Sequence, residues 1–173
     1  NLTSAAVSYA RLYNISSGDS TFVEMEMALR DWLLGCNPWG TTMIVGYPEI
    51  ADYPKYPHSS YLVVWNDITP GGLIDGPIQK DLFEERAGES LTKPDEYAVF
   101  NNGEAVYHDD IGDYASNEPT MDGTAGLTYY WANRQAHGKA LKETEVLKDR
   151  YGAIIRVNPD EKKIYLLFSA DSL

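Results

Sequence analysis

The sequence predicts a mainly α-helical fold with long loops and a short β segment near its C-terminal end. Three stretches place apolar residues at the helical period, and the last part of the chain holds two apolar runs separated by a turn. Between the second and third helical stretches, Gly, Pro, Asn and Asp dominate residues 37 to 122. Ordered loops of such length usually carry function. We therefore expect the functional residues to lie on loops.

Helical spacing of apolar residues supports each predicted helix. The first helix covers residues 3 to 14, with Ala6, Tyr9 and Tyr13 on one face. The second begins at TFVE, residues 21 to 24, which has the form of a capping box, and Pro38 stops it. Its apolar face comprises Phe22, Met25, Leu29, Trp32 and Leu33. The third covers about 122 to 140 and carries Leu127, Tyr130, Trp131 and Arg134.

The C-terminal part of the chain changes character. It contains GAIIRV, then NPDEKK, then IYLLFSAD, a pattern typical of strand, turn and strand, with runs too apolar for a one-sided surface hairpin. The charged stretch before it, KALKETEVLKDR, indicates a linker or a short helix. We expect a helical domain at 1–140, a linker or short helix at 141–152, and a β-hairpin or the start of a second domain at 153–173.

Composition restricts the partners. The chain has 14 Lys and Arg against 26 Asp and Glu, a net charge of −12. Nucleic acids and anionic membrane surfaces both require basic patches, so we expect neither as a partner. A neutral, polar ligand fits better, and 13 Tyr and 4 Trp suit the faces of sugar rings, although most of these side chains will be core. Cys36 is the single cysteine, which excludes an internal disulfide and a Cys-based zinc cluster.

An acidic stretch, YHDDIGDYASNEPTMDGTAG, covers residues 107 to 126. Its acidic members are Asp109, Asp110, Asp113, Glu118 and Asp122. Pro119 favours an extended Glu118 on a loop just before the third helix. Neighbouring like charges favour the protonated form of a carboxyl, and a general acid must be protonated. Composition alone also allows a solvated acidic loop or a cation site.

Four blocks resemble the C-terminal part of the family 9 glycoside hydrolases. They are LLGCNPWGTTMIVGYPE, PKYPHSS, GGLIDGPI and the acidic stretch, and they occur in the family's order and approximate spacing over roughly residues 1 to 138. The resemblance implies a partial (α/α)6 barrel, the six-hairpin glycosidase fold of cellulase-like enzymes. It also implies a hydrolase that degrades polysaccharides, cleaving a β-linked glucan or a related oligosaccharide by inversion without a cofactor.

The resemblance assigns roles to individual residues. Tyr107, Asp109, Tyr114 and Glu118 have the spacing of the family's last block. Glu118 matches the catalytic acid that protonates the leaving glycosidic oxygen. The resemblance places His58, Asp109, Asp113 and Tyr114 in contact with substrate or around it, and Trp39 is a further candidate for substrate binding. Trp39 and Trp65 could each stack on a pyranose or lie in the core. His108 and His137 lack metal-site spacing, so we expect no metal.

Four positions depart from the family pattern. Ser60 and Ile111 stand where the family usually has Arg, and Gly123 and Thr124 replace a Tyr and an Asn. Two lost cations in one cleft change how sugar hydroxyls or carboxylates are held. We therefore expect a substrate other than plain cellulose.

The catalytic base is not found by resemblance. An inverting hydrolase needs a second carboxylate about 6.5 to 9.5 Å from the acid. In the family it comes from the N-terminal part of the barrel, and residues 1 to 106 contain no matching block. The chain also begins inside a predicted helix, without Met. We expect a piece of a longer protein, inactive alone, whose partners are a glycan and the remainder of its own catalytic domain, and which is secreted or periplasmic.

Two alternatives stay open at this stage. The chain could be a non-catalytic carbohydrate-binding remnant of such an enzyme. It could also belong to a bifunctional hydrolase and deacetylase, because its last residues resemble the opening strands of polysaccharide deacetylase-like domains. Asp171 would then occupy the place of an Asp that serves metal binding or catalysis.

Overall fold

The computed structural model describes residues 2–18, 20–86, 91–101, 103–138, 146–148, 154–158 and 163–167. These residues form five helices and five short strands. The predicted fold class, mainly helical with long loops and a C-terminal β segment, is confirmed. The chain divides into two compact units, Asn1–Asn133 and Arg134–Leu173. None of the helices within the described ranges has the length and apolar character needed to cross a membrane.

The first two helices, α1 (Leu2–Ser17) and α2 (Val23–Leu33), pack against each other. Both predicted helices are confirmed, but the predicted capping box is wrong. The N-cap of α2 is Phe22, which makes no side-chain cap bond. Its backbone N–H donates instead to the Asn14 side-chain oxygen on α1, at 3.2 Å. A contact from the neighbouring helix therefore replaces the local cap.

A buried carboxylate lies on the core side of α2, where the apolar pattern predicts none. Glu26 is only 4% exposed. It accepts a hydrogen bond from the Asn14 amide at 3.2 Å and from the Tyr130 hydroxyl at 3.4 Å, and it lies 3.7 Å from the Arg11 guanidinium. A buried charge is tolerated when it is paired and hydrogen-bonded in this way. Glu26 thus joins α1, α2 and the last helix.

Loops supply most of the hydrophobic core. Its buried members are Val7, Leu33, Trp39, Met43, Ile44, Val45, Leu73, Ile74, Tyr97, Tyr107, Leu127 and Tyr130. Segments 43–45 and 72–74 run side by side, with Val45 N–H bonded to the Gly72 carbonyl at 2.9 Å and Ile74 N–H bonded to the Met43 carbonyl at 3.1 Å. Loop backbone buried in this way needs such partners. Backbone hydrogen bonds between loop segments therefore replace those of a regular β-sheet here.

Two short helices and one small sheet fill the region between α2 and the acidic stretch. α3 (Ser60–Trp65) begins after Ser59, whose hydroxyl accepts the Tyr61 N–H at 3.1 Å. β1 (Ile78–Gln79) pairs antiparallel with β2 (Ala105–Val106), and α4 (Lys80–Arg86) follows β1 directly.

The third predicted helix is confirmed as α5 (Met121–His137), which buries Leu127 and Tyr130. The second unit contains a meander of β3 (Val146–Lys148), β4 (Ile154–Asn158) and β5 (Lys163–Leu167). All pairings are antiparallel, and Ile154 faces Leu167 while Asn158 faces Lys163. The two predicted strands are therefore present as β4 and β5, and β3 lies inside the stretch predicted as a linker or short helix. Asp171 lies outside the described residues.

We expect Leu127→Ala to destabilise the protein by about 2 to 5 kcal/mol, because it removes a side chain that is buried in the core and leaves a cavity. Urea unfolding followed by circular dichroism measures the change. Met121→Ala is the matched control on the same helix, since Met121 is 90% exposed, and should change the free energy of unfolding by less than about 0.5 kcal/mol. Equal effects of the two substitutions would contradict the described packing of α5.

Candidate active site

Asp113 organises the turn that leads to Glu118. Its carboxylate is fully buried. One oxygen accepts the backbone N–H groups of Ala115 and Ser116 at 2.9 and 2.8 Å. The other accepts the Ser116 hydroxyl and His108 Nδ1, the latter at 2.8 Å. All of these partners lie within the acidic stretch, so Asp113 fixes the shape of that stretch from inside.

Asp109 joins the acidic stretch to the loop that carries His58. Its two oxygens accept the backbone N–H groups of Lys55 and Tyr56, each at 2.8 Å. The Asn117 amide donates a third bond, at 3.1 Å. Burial raises the pKa of the Asp109 carboxyl, and these donors act against that rise. The loop at 55–58 is thereby held against the acidic stretch.

Asp110 joins a third segment, residues 92–93, to the acidic stretch. It accepts bonds from the backbone N–H of Gly112 at 2.7 Å, of Thr92 at 2.9 Å and of Lys93 at 3.0 Å, and from the Thr92 hydroxyl at 2.9 Å. Burial acts to raise the pKa of Asp110, but these hydrogen bonds outweigh it and the pKa is lowered. Asp110 is therefore stabilised as an anion, and it ties residues 92–93 to the acidic stretch.

His58 is held with one ring nitrogen already occupied. Its backbone N–H donates to the Asn117 carbonyl at 2.9 Å, and its Nδ1 lies 2.6 Å from the Ile111 carbonyl. A carbonyl oxygen only accepts, so Nδ1 carries the proton and Nε2 is the nitrogen left to meet a ligand. The Tyr114 ring lies edge-on to the imidazole, with centroids 6.0 Å apart, and is 39% exposed. His58 and Tyr114 thus lie together.

Glu118 lies on the loop immediately before α5, as Pro119 predicts, and its side chain is half-buried. The Glu118 carbonyl accepts the Asp75 backbone N–H at 3.0 Å, and Ile74 forms an antiparallel bridge with Pro119. The chain around Glu118 is therefore paired with residues 74–75 on one side. On the other side, its neighbour Asn117 is bonded to His58.

Asp75 is a second half-buried carboxylate near Glu118. Burial raises the pKa of Asp75, and the charges of Glu118 and Asp122 raise it further, while a hydrogen bond with Thr120 acts in the opposite direction. Asp75 borders a cavity of about 320 Å³. The cavity's other walls include Trp32, Leu33, Met43 and Ile74. Within the described residues, no group of three or more His, Cys, Asp or Glu side chains is arranged to hold a metal ion.

The comparisons with known proteins identify the family. The family model described as Glycosyl hydrolase family 9 matches residues 1–131. This chain belongs to glycosyl hydrolase family 9. Membership implies a glycosidase of the cellulase-like, six-hairpin type, with an (α/α)6 barrel and an inverting reaction on β-glucans. Neither the curated proteins nor the solved structures gave a match.

The structure brings some of the predicted site residues of this family 9 chain together. Glu118 follows the residue that binds His58, and Tyr114 lies beside His58. Asp109 and Asp113 are buried and accept hydrogen bonds from protein donors. That both contact substrate stays a prediction.

Trp39 is separate from this group. It is 8% exposed, packs edge-on against Tyr107 with centroids 6.3 Å apart, and its indole N–H donates to the Asn101 side-chain oxygen at 2.7 Å. These contacts place the ring in the core, and its stacking on a sugar stays a prediction. Trp65, in contrast, is 69% exposed.

One of the four departures from the family pattern has a local explanation. Thr124, in place of an Asn, donates to the Thr120 carbonyl at 2.7 Å and accepts the Leu73 N–H at 3.0 Å. It therefore fastens α5 to the 72–74 loop. Ile111, in place of an Arg, supplies its carbonyl to His58. That bond depends on the backbone and not on the side chain.

Sequence reasoning missed three residues at the site of this family 9 domain. Asn117 and His108 hold the acidic stretch from within, and Asp75 lies beside Glu118. A signal for Asn117 was present, because it directly precedes the expected acid. Asp75 belongs to the GGLIDGPI block, but the order and spacing of the four blocks assign no role to it.

We expect Asp110→Asn to destabilise the protein by about 1 to 3 kcal/mol at pH 7, because an amide cannot accept all of the backbone donors that the carboxylate satisfies. The pKa of Asp110 is lowered from its ordinary 3.8. Its contribution is therefore present above that value and is lost as the pH falls through the lower pKa of the folded state. Urea unfolding at pH 7 and at decreasing pH measures both effects.

In that experiment the difference in the free energy of unfolding between the parent chain and Asp110→Asn should disappear as the pH falls below about 4. Glu85→Gln is the matched control, since Glu85 is exposed on α4 and should behave like the parent chain. A gap that stays constant down to low pH would show that the Asp110 charge does not hold the loop.

Proposed function

We propose that residues 1–131 supply the acid side of an inverting glycosidase site, with Glu118 as the general acid. One observation carries the proposal. Of the carboxylates in the acidic stretch, Asp109, Asp110 and Asp113 are buried and occupied by protein donors, whereas Glu118 is half-buried next to a cavity-lining loop. The acid that the family motif selects by spacing is thus also one that substrate can reach.

The reaction needs two carboxyl groups, one that donates a proton and one that accepts a proton. Glu118 gives its proton to the glycosidic oxygen as the bond from that oxygen to the anomeric carbon breaks. A second carboxylate takes a proton from a water molecule, whose oxygen attacks the anomeric carbon from the opposite face. We propose that this base comes from a part of the catalytic domain outside residues 1–131.

The site chemistry supports a neutral sugar as the substrate. His58 leaves Nε2 to form a hydrogen bond with a ligand beside the half-exposed Tyr114 ring, a combination that suits a sugar hydroxyl and an apolar sugar face. Ser60 and Ile111 remove two guanidinium groups that the family pattern would place nearby. We propose a β-linked glucan or a related oligosaccharide other than plain cellulose, and a secreted or periplasmic location, because polymeric glycans lie outside the cell membrane.

We expect Glu118→Gln, in a chain extended through the rest of the catalytic domain, to lower kcat on a cello-oligosaccharide by about 10² to 10⁴-fold, the usual contribution of a general acid. A reducing-sugar assay measures the loss. Glu49→Gln is the control, since Glu49 is an exposed loop residue. Full activity of Glu118→Gln would overturn the assignment of the acid.

We expect the 173-residue chain alone to show little or no turnover, because half of the acid and base pair is supplied elsewhere. The same assay, run on this chain and on the N-terminally extended chain at equal concentration, measures the difference. Equal turnover by both would overturn the proposal that the base lies outside. Tight glycan binding by the extended chain without any turnover would favour a carbohydrate-binding protein instead.

A further inference from the structure

Asn117, the residue before Glu118, is fully buried, and its side chain is hydrogen-bonded at both its oxygen and its nitrogen. Its side-chain oxygen accepts the Tyr107 hydroxyl at 3.1 Å. Its side-chain nitrogen lies 2.9 Å from the Tyr56 carbonyl and 3.1 Å from an Asp109 oxygen. The amide therefore uses both of its ends, and only a group with an acceptor and two donors can do so.

The backbone of Asn117 is held as firmly as its side chain. Its N–H donates to the Asp113 carbonyl at 3.1 Å, and its carbonyl accepts the His58 N–H at 2.9 Å. The next residue is then paired through its own carbonyl with Asp75. Adjacent Cα atoms are about 3.8 Å apart, so the fixed position of Asn117 restricts where the Glu118 Cα can lie.

We propose that Asn117 is a positioning residue for the general acid. Its amide fixes the peptide that precedes Glu118 to the loop that carries His58, so that the proton donor and the imidazole keep one separation. This inference rests on the proposed role of Glu118. It adds that the separation depends on the amide donors of Asn117 and not on its volume.

Asparagine and aspartate have nearly the same shape, so exchanging them isolates the donors. In Asn117→Asp, a carboxylate oxygen would face the Tyr56 carbonyl and the Asp109 carboxylate, which are acceptors only. Repulsion would then replace two hydrogen bonds and would move the start of Glu118 away from the His58 loop. Misplacement of a catalytic group by about 1 Å can cost roughly 10²-fold in rate.

The leaving group distinguishes a misplaced acid from a damaged fold. A sugar hydroxyl is a poor leaving group and needs the proton of the acid, whereas dinitrophenolate departs with little protonation. A misplaced acid therefore slows cleavage of a cello-oligosaccharide far more than cleavage of a dinitrophenyl β-cellobioside. Partial unfolding lowers the amount of active enzyme and slows both reactions by the same factor.

The experiment measures kcat and KM on both compounds for the N-terminally extended chain and its variants. For Asn117→Asp we expect kcat on the cello-oligosaccharide to fall roughly 10- to 100-fold, with a much smaller fall on the dinitrophenyl compound. Asn14→Asp is the matched control: the Asn14 amide donates to the Glu26 carboxylate at 3.2 Å, between α1 and α2 and outside the acidic stretch. It should slow both reactions equally.

Tyr107→Phe is the second variant, and it tests the positioning role of Asn117 if circular dichroism shows that Asn117→Asp is unfolded. It removes only the hydroxyl bonded to the Asn117 side-chain oxygen and keeps the ring in the core. The expected result is a smaller loss with the same dependence on the leaving group.

The outcomes separate the two proposals. If Glu118→Gln shows the leaving-group dependence and the folded Asn117 or Tyr107 variant does not, the positioning role is overturned and the general acid stands. If Glu118→Gln lacks that dependence, or the parent enzyme cleaves neither compound, the proposed function itself is overturned.

Discussion

The bond between a buried carboxylate and a loop backbone N–H is the interaction on which this domain depends. Asp109 binds the backbone at residues 55–56, Asp110 binds it at 92–93, and Asp113 binds it at 115–116. Buried loop backbone has no helix or strand to pair with and must find other acceptors. Charge-assisted acceptors are stronger than neutral ones. The negative charge of the chain is therefore partly the means by which its long loops become ordered.

This arrangement also explains how one short stretch can hold five acids. Three of them interact mainly with backbone dipoles, which offsets part of their mutual repulsion. Glu118 follows these three acids in the chain and lies between the loop of His58 on one side and Asp75 on the other. The proposed site is therefore formed by three loops that meet near Glu118, and its geometry depends on the hydrogen bonds between them.

Local sequence signals predicted the presence of α1, α2 and α5. The face predicted for α1 is wrong, because Val7 and Ala10 are buried while Tyr9 is 60% exposed. Pro119 likewise predicted that Glu118 precedes a helix, and the family spacing selected Glu118 without any structural information. The failures involve partners far apart in the chain. The cap of α2 comes from Asn14, and the buried Glu26 is paired with α5. The backbone donors of Asp109 lie more than fifty positions away, so no local pattern could reveal that the carboxylate is used inside the protein.

The bond between His58 and the Ile111 carbonyl has an evolutionary consequence. Because the path of each loop is set by main-chain groups and by buried Asp and Asn side chains, the exposed side chains on the same loops contribute little to that path. The exposed Ser60 and the partly exposed Ile111 can then be replaced while the hydrogen bonds around Glu118 persist. Proteins organised in this way can change the ligand that they bind without changing the hydrogen bonds that hold their loops.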